Sequence, residues 1–170
     1  KNSENIFKKY DFDNKPKRYR QKINGISTGI GLLLKNFWNT EFEYYYRQES
    51  FFPEENDIDK YDIYASISLS AQLDLLDDIL LPWNGIYIEG KYENSSSEWG
   101  STQNYHLYRG FGDIYFSKKR NTYRLMGYYH QTLNDAPRYI KTIPSGSQIF
   151  TGVKEFQLWG NTLVFSRLEY

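Results

Sequence analysis

The stretch GISTG, residues 25–29, fits the Gly-x-Ser-x-Gly pattern of a nucleophile elbow and makes Ser27 a candidate acyl-transfer nucleophile. That chemistry needs a strand, a sharp strained turn and then a helix, so that the serine reaches a base. Here Ser27 lies inside an alternating run that follows the polar KPKRYRQ, and neither His106 nor His130 has a flanking signature. Ser27 therefore reads as a small residue on a Gly-rich strand, and the two histidines as strand or rim residues. The pairs Glu54-Glu55 and Asp77-Asp78 read as solvated turn residues rather than metal ligands. Asn94-Ser95-Ser96 matches a glycosylation sequon too short to carry weight, and the basic SKKRN at 117–121 reads as a solvated hairpin tip. The chain has no cysteine, which excludes disulfides, zinc–thiolate sites and cysteine nucleophiles. No catalytic residue, metal or cofactor is expected, and no enzyme.

The remaining polar chemistry is a set of charges that alternate with apolar residues at period two. In 61–75, Ile63, Ala65, Ile67, Leu69, Ala71, Leu73 and Leu75 share one face, while Asp62, Ser66, Ser68, Ser70, Gln72 and Asp74 share the other with Tyr64. Elsewhere the same split puts Glu43 and Arg47, Glu89 and Lys91, and Arg109 and Asp113 on polar faces. The last strand is blurred, because Leu163 and Phe165 fall on the side of Arg167 and Glu169. This patterning predicts strands near 23–34, 39–50, 61–75, 85–94, 103–116, 121–132 and 160–170, with no convincing helix. Residues 133–158 are expected as a long loop, and 1–22 as a polar leader or extracellular loop.

Composition narrows the class. Aromatics reach 19%, with 17 Tyr among them, which argues against disorder and against a Leu- and Ala-based bundle. Lys+Arg and Asp+Glu both number 21, so no net charge points to nucleic acid. No apolar run approaches the roughly 20 residues of a transmembrane helix, and the start is not a signal peptide. Short connections at 35–39, 76–84 and 117–121 alternate with longer polar ones at 51–60, 94–102 and 133–158, as in transmembrane barrels. Trp38, Trp83, Trp99 and Trp159 all lie in or beside connections, where an interfacial girdle would put them. A soluble sandwich or lipocalin-like barrel shows the same alternation with its apolar face turned inward. Alternation alone leaves both open.

Two stretches resemble a known family. LDLLDDILLPWNGIYIEGKYE, 73–93, is similar to a recurring segment of the bacterial surface antigen family of outer-membrane barrels, which includes barrel-assembly and two-partner-secretion proteins. Asp74, Asp78, Pro82 and Gly85 occupy its strand-end aspartate, acidic turn and Pro-x-x-Gly. TGVKEFQLWGNTLVFSRLEY, 151–170, resembles the lumen loop and following strand of that family: Gly152 matches the motif glycine, Leu158 and Gly160 the Leu-x-Gly, and Leu168-Glu169-Tyr170 the strand end. Thr151 stands where the family has Arg, and Val153 where it has Tyr or Phe. A literal YRGF at 108–111 lies in a strand without the long loop. The resemblance covers roughly 60–170 and implies strands six to twelve of about sixteen. A related branch carries such a barrel behind a patatin-like phospholipase.

The expected architecture is thus all-β, an antiparallel meander of about seven strands within a larger transmembrane β-barrel in the bacterial outer membrane. Its expected work is to insert or translocate polypeptides, or to anchor its own passenger domain, through a lumen lined by Glu43, Arg47, Glu89, Lys91, Arg109 and Asp113. The expected partners are outer-membrane lipid, a polypeptide substrate or passenger, and further strands or copies to close the sheet; nucleic acid is not among them. Tyr170 is expected to mark a segment boundary. The alternatives are a soluble β-barrel or sandwich binding a small molecule or carbohydrate, and a lipid hydrolase or acyltransferase using Ser27.

Overall fold

The structure, a computed structural model, describes residues 2–10, 16–53, 62–78, 80–134, 136 and 160–170. It is all-β. Eight strands follow one another: β1 (Asn2–Tyr10), β2 (Pro16–Leu34), β3 (Trp38–Pro53), β4 (Asp62–Asp74), β5 (Gly85–Ser95), β6 (Tyr105–Lys118), β7 (Asn121–Asn134) and β8 (Thr162–Glu169). They form one antiparallel sheet in which every strand pairs with its neighbours in sequence, in the order β1 to β8. The only helical turn among the described residues is a 3₁₀ turn at Ser97–Trp99, capped by Ser96 at its start and by left-handed Gly100 at its end.

The antiparallel meander is the expected one, and two details differ. The polar stretch read as a leader or loop contributes β1 and the first part of β2, paired from Asn2 with Asn24 to Tyr10 with Pro16. The described residues thus carry eight strands, in keeping with the expected meander of about seven. Backbone pairing along an existing strand needs no apolar face, so hydrophobic periodicity carries no trace of it. The second difference is at β6, which starts at Tyr105 rather than near 103. There Ser101 and Thr102 double back onto β4: Thr102 N–H donates to the Ile63 carbonyl at 2.8 Å, and Ile63 N–H donates to Thr102 Oγ1 at 3.1 Å.

The register sorts side chains into two faces. Directly opposed pairs such as Phe42–Leu69, Leu69–Tyr92, Tyr92–Tyr108, Ile114–Leu125 and Leu125–Leu168 carry one apolar face across β3 to β8. Ile26, Ile30, Leu32 and Leu34 extend it onto β2. This face is exposed: Leu69 shows 50% of its surface, and Ile30 77%. The opposite face is the shielded one. On β4 alone Tyr64, Ser66 and Ser68 are buried there, and Glu49, Glu93, Asp113, His130 and Thr132 join them from other strands. The usual arrangement of a water-soluble sheet is inverted.

Among the described residues, apolar burial on the shielded side is slight: a small cluster of Tyr64, Tyr105, Leu107 and Ala136, and Met126 apart from it. Asn134 takes a left-handed φ of 63° at the end of β7, and Ala136 N–H bonds back to its carbonyl at 2.9 Å. Ala136 is thus buried on the charged-face side, beside Tyr64, Tyr105 and Leu107.

Candidate functional site

The charged face gathers all six residues expected to line a lumen. Arg47, Glu43, Lys91, Glu89, Arg109 and Asp113 project from β3, β5 and β6 on the side of Ser66, Ser68 and Ser70. They form three tiers. At the end bearing the longer connections, Glu93 accepts from Ser66 Oγ at 3.0 Å and from Tyr105 OH at 2.6 Å, with Lys91 Nζ 3.5 Å away. Arg47 Nε lies 3.7 Å from Glu49 and its guanidinium sits over the Tyr64 ring. Glu43 takes the Tyr45 hydroxyl, which also accepts from Lys91.

In the middle tier, Arg109 donates to Glu89 at 3.1 Å. In the tier nearest the short turns, Arg124 Nε and Nη2 both reach Asp113, at 2.6–3.1 Å, and Nη1 reaches Glu169 at 3.1 Å. Arg167 also pairs with Glu169, and Tyr115 OH donates to Asp113 at 3.2 Å. One guanidinium thereby ties together three adjacent strands.

Between the two lower tiers runs a row of rings. Tyr87 and Phe111 meet edge-on with centroids 5.9 Å apart, Phe111 opposes Tyr128, and Tyr128 opposes Phe165. Phe165 and Leu163, which blurred the alternation of the last strand, are both on the charged face, Phe165 as part of this band and Leu163 opposite His130. On β2 the same face carries Gly25, Ser27, Gly29 and Gly31. Gly29 is required by its partner: a Cβ there would stand 2.7 Å from Glu43 Cγ and 2.6 Å from the Phe42 carbonyl oxygen. Ser27 has no elbow geometry, since it lies within β2 opposite Tyr45.

The turn motif residues come together between β4 and β5. Asp74 Oδ1 caps Leu76 N–H at 3.1 Å, and Asp78 Oδ1 accepts from Leu80 and Leu81 N–H. Asp77, which the motif reading passed over, accepts from Trp83 and Asn84 N–H at 2.9 and 3.0 Å. These backbone donors hold both the Asp77 and Asp78 carboxyls below their ordinary value of 3.8. Pro82 lies within this turn, and Gly85 opens β5 at φ 130°. A Cβ on Gly85 would come within 2.3 Å of the Leu75 carbonyl oxygen, so only glycine fits.

Of the terminal motif, Thr151, Gly152, Val153 and Leu158 lie outside the described residues. Gly160 makes a single bridge before β8, and Glu169 closes the Arg124 network. His130 is buried on the charged face near Tyr128, while His106 bonds Tyr92 OH at 3.0 Å on the apolar face. No group of three or more His, Asp or Glu able to hold a metal occurs among the described residues. Arg124, Tyr105 and Glu93 are the residues that sequence reasoning left out of the site. Arg124 and Glu93 fall at the charged-face parity of β7 and β5, yet only the register shows which partners they meet.

The apolar face is as ordered as the charged one. From Asn24 to Leu34, Trp38 to Gln48, Ile63 to Leu73, Ile86 to Asn94, His106 to Phe116, Tyr123 to Leu133 and Thr162 to Leu168, no Asp, Glu, Lys or Arg stands on it. Uncharged polar residues edge it at the loop end: Asn24 opposes Gln48, and Asn94 opposes His106. Just inside that edge lie Tyr46, Tyr92, Tyr108 and Tyr129. At the turn end lie Trp38, Phe116 and Tyr123, the last two stacked at 4.8 Å.

No protein-family model matches this chain, and a search of curated proteins finds no match.

Proposed function

We propose that this chain forms part of the wall of a bacterial outer-membrane β-barrel, of the surface-antigen type that its turn and last strand resemble. It inserts or translocates polypeptides, or holds a passenger domain, by enclosing a polar lumen. One observation carries the reading: across seven consecutive strands the exposed face is uncharged and the shielded face holds the charges. In water, each such exposed side chain forgoes about 1.5–3 kcal/mol of burial. Lipid removes that deficit. The band from Trp38 to Tyr46, at about 3.3 Å per residue and a tilt of about 35–45°, stands roughly 19–22 Å tall, close to the apolar band of an outer-membrane barrel, about 25 Å. The aromatic residues at its two ends suit the interfaces.

The work is physical rather than covalent. Paired charges at Glu89–Arg109 and Asp113–Arg124–Glu169 keep the lumen surface hydrated and close to neutral, so a polar chain can pass or rest there without shedding its water. In the described sheet β1 pairs only with β2 and β8 only with β7. Their outer N–H and C=O groups need partners in lipid, so further strands or copies complete the wall. A soluble small-molecule binder is disfavoured by the same inversion, since its apolar face would line the cavity.

The absence of native cysteine allows a direct test. Leu69→Cys and Ser70→Cys, each carrying an environment-sensitive dye, are refolded into phospholipid vesicles. Quenching by lipid-borne nitroxides at 69 and by aqueous iodide at 70 is expected. A chain that folds in detergent-free buffer, with 69 unquenched by lipid, overturns the reading. Polypeptide passage is read separately, as transient blocks of bilayer current by an unfolded peptide.

A further inference from the structure

The tip of the β6–β7 hairpin is the strongest feature that the lumen does not use. Lys118, Lys119 and Arg120 follow one another across a two-residue connection, with Lys119 at a left-handed φ of 60°. All three are exposed, and among the described residues none makes an ion pair. With Asn121 and Tyr123 they line an open recess of about 420 Å³. Tyr123, which lines this recess, stacks on Phe116 at the end of the apolar face.

The hairpin is also held in place. Ser117 N–H donates to Asn84 Oδ1 at 2.9 Å, and Ser117 Oγ donates to the Trp83 carbonyl at 2.8 Å. These bonds lock the tip to the β4–β5 turn. The carboxylates of that turn, Asp77 and Asp78, are engaged by their own backbone N–H groups rather than by the three cations.

We propose that this tip is a docking surface for the phosphate of an anionic phospholipid headgroup. The proposal rests on the barrel-wall reading, because that reading sets the end of the apolar face at the level of the headgroups. Charge complementarity selects the occupant. Each Lys or Arg near an anionic membrane surface contributes about 1 kcal/mol, and a guanidinium bonds two phosphate oxygens at once. The Tyr123 ring in the recess offers the glycerol backbone an amphipathic surface.

The test uses the full chain refolded into vesicles of phosphatidylcholine with phosphatidylglycerol, then extracted in mild detergent. Retained phosphatidylglycerol is counted by native mass spectrometry for the wild type and for the triple variant K118Q/K119Q/R120Q. Circular dichroism verifies that both are folded. Retention about tenfold or more lower in the variant is the expected result. Equal retention overturns the proposal. So does equal binding of inorganic phosphate by the detergent-held protein, which would mark a general anion site, and so does capture of an acidic peptide without phosphatidylglycerol. If the label at 69 shows no lipid contact, the wall reading itself fails; if it shows contact and retention is insensitive, this inference alone fails.

Discussion

Gly85 stands where the backbone leaves no room for a side chain: φ is 130° and the Leu75 carbonyl oxygen fills the Cβ position. Gly85→Ala is expected to lower stability by about 1–3 kcal/mol, the usual cost of a strained backbone site. Gly90→Ala, where a Cβ meets nothing within 4 Å, serves as the control and should change little. Urea midpoints of the two refolded variants decide it, and equal midpoints would count against the turn geometry. The Arg124 network allows a second test. Arg124→Gln leaves the buried Asp113 without its guanidinium, a loss of about 1.5–3 kcal/mol for a charged hydrogen bond. Combining it with Asp113→Asn should cost less than the two single changes together. The Gly85 position was legible in the sequence through its Pro-x-x-Gly setting. The Arg124 network was not, because Asp113 meets Arg124 only through the register of the β6–β7 hairpin, and Glu169 comes from far along the chain.

At the level of elements, β4 was the most legible, since its serines and aliphatic residues alternate without a break. β1 was illegible because its residues show no apolar stripe to mark a face. The blurred alternation of β8 had a structural cause. Phe165 belongs to a band of rings crossing the charged face, so an apolar residue at a polar parity signalled a neighbour rather than a fault in the strand. The β4–β5 turn makes a pH prediction. Asp77 and Asp78 have folded values lowered below 3.8 by backbone N–H donors. Their contribution to the turn is complete above that ordinary value and fades as pH falls through the lowered folded values; raising the pH adds nothing. Trp83 emission, followed from about pH 6 down to about pH 2 in a variant with its other tryptophans replaced by Phe, should report the turn loosening only at the acid end. Asp77→Asn should remove part of that acid response. A turn equally sensitive at alkaline pH would refute the assignment.

At the scale of the whole molecule, the two faces of the sheet demand opposite substitutions. Leu69→Lys places a cation on the uncharged face and is expected to cost about 2–4 kcal/mol in a bilayer. Gln72→Lys, on the charged face opposite Glu89, should be nearly neutral. Folding titrations in vesicles compare them; a more harmful change at 72 would reverse the assignment of faces. The separation of the faces was legible strand by strand. Which face is shielded was not, because alternation is the same whether a sheet curls one way or the other.

The neighbour-only order of the sheet has a kinetic consequence. Among the described residues all seven strand pairings join strands consecutive in order, six of them across ten residues or fewer and the seventh, β7 with β8, across residues 135–161. Closing such hairpins costs little chain entropy, and low contact order favours rapid formation. Each new strand can be added to an edge already in place, so the sheet can grow in the order in which the chain is delivered. A sheet built this way is extended one hairpin at a time, and its register is inherited from the strand laid down before.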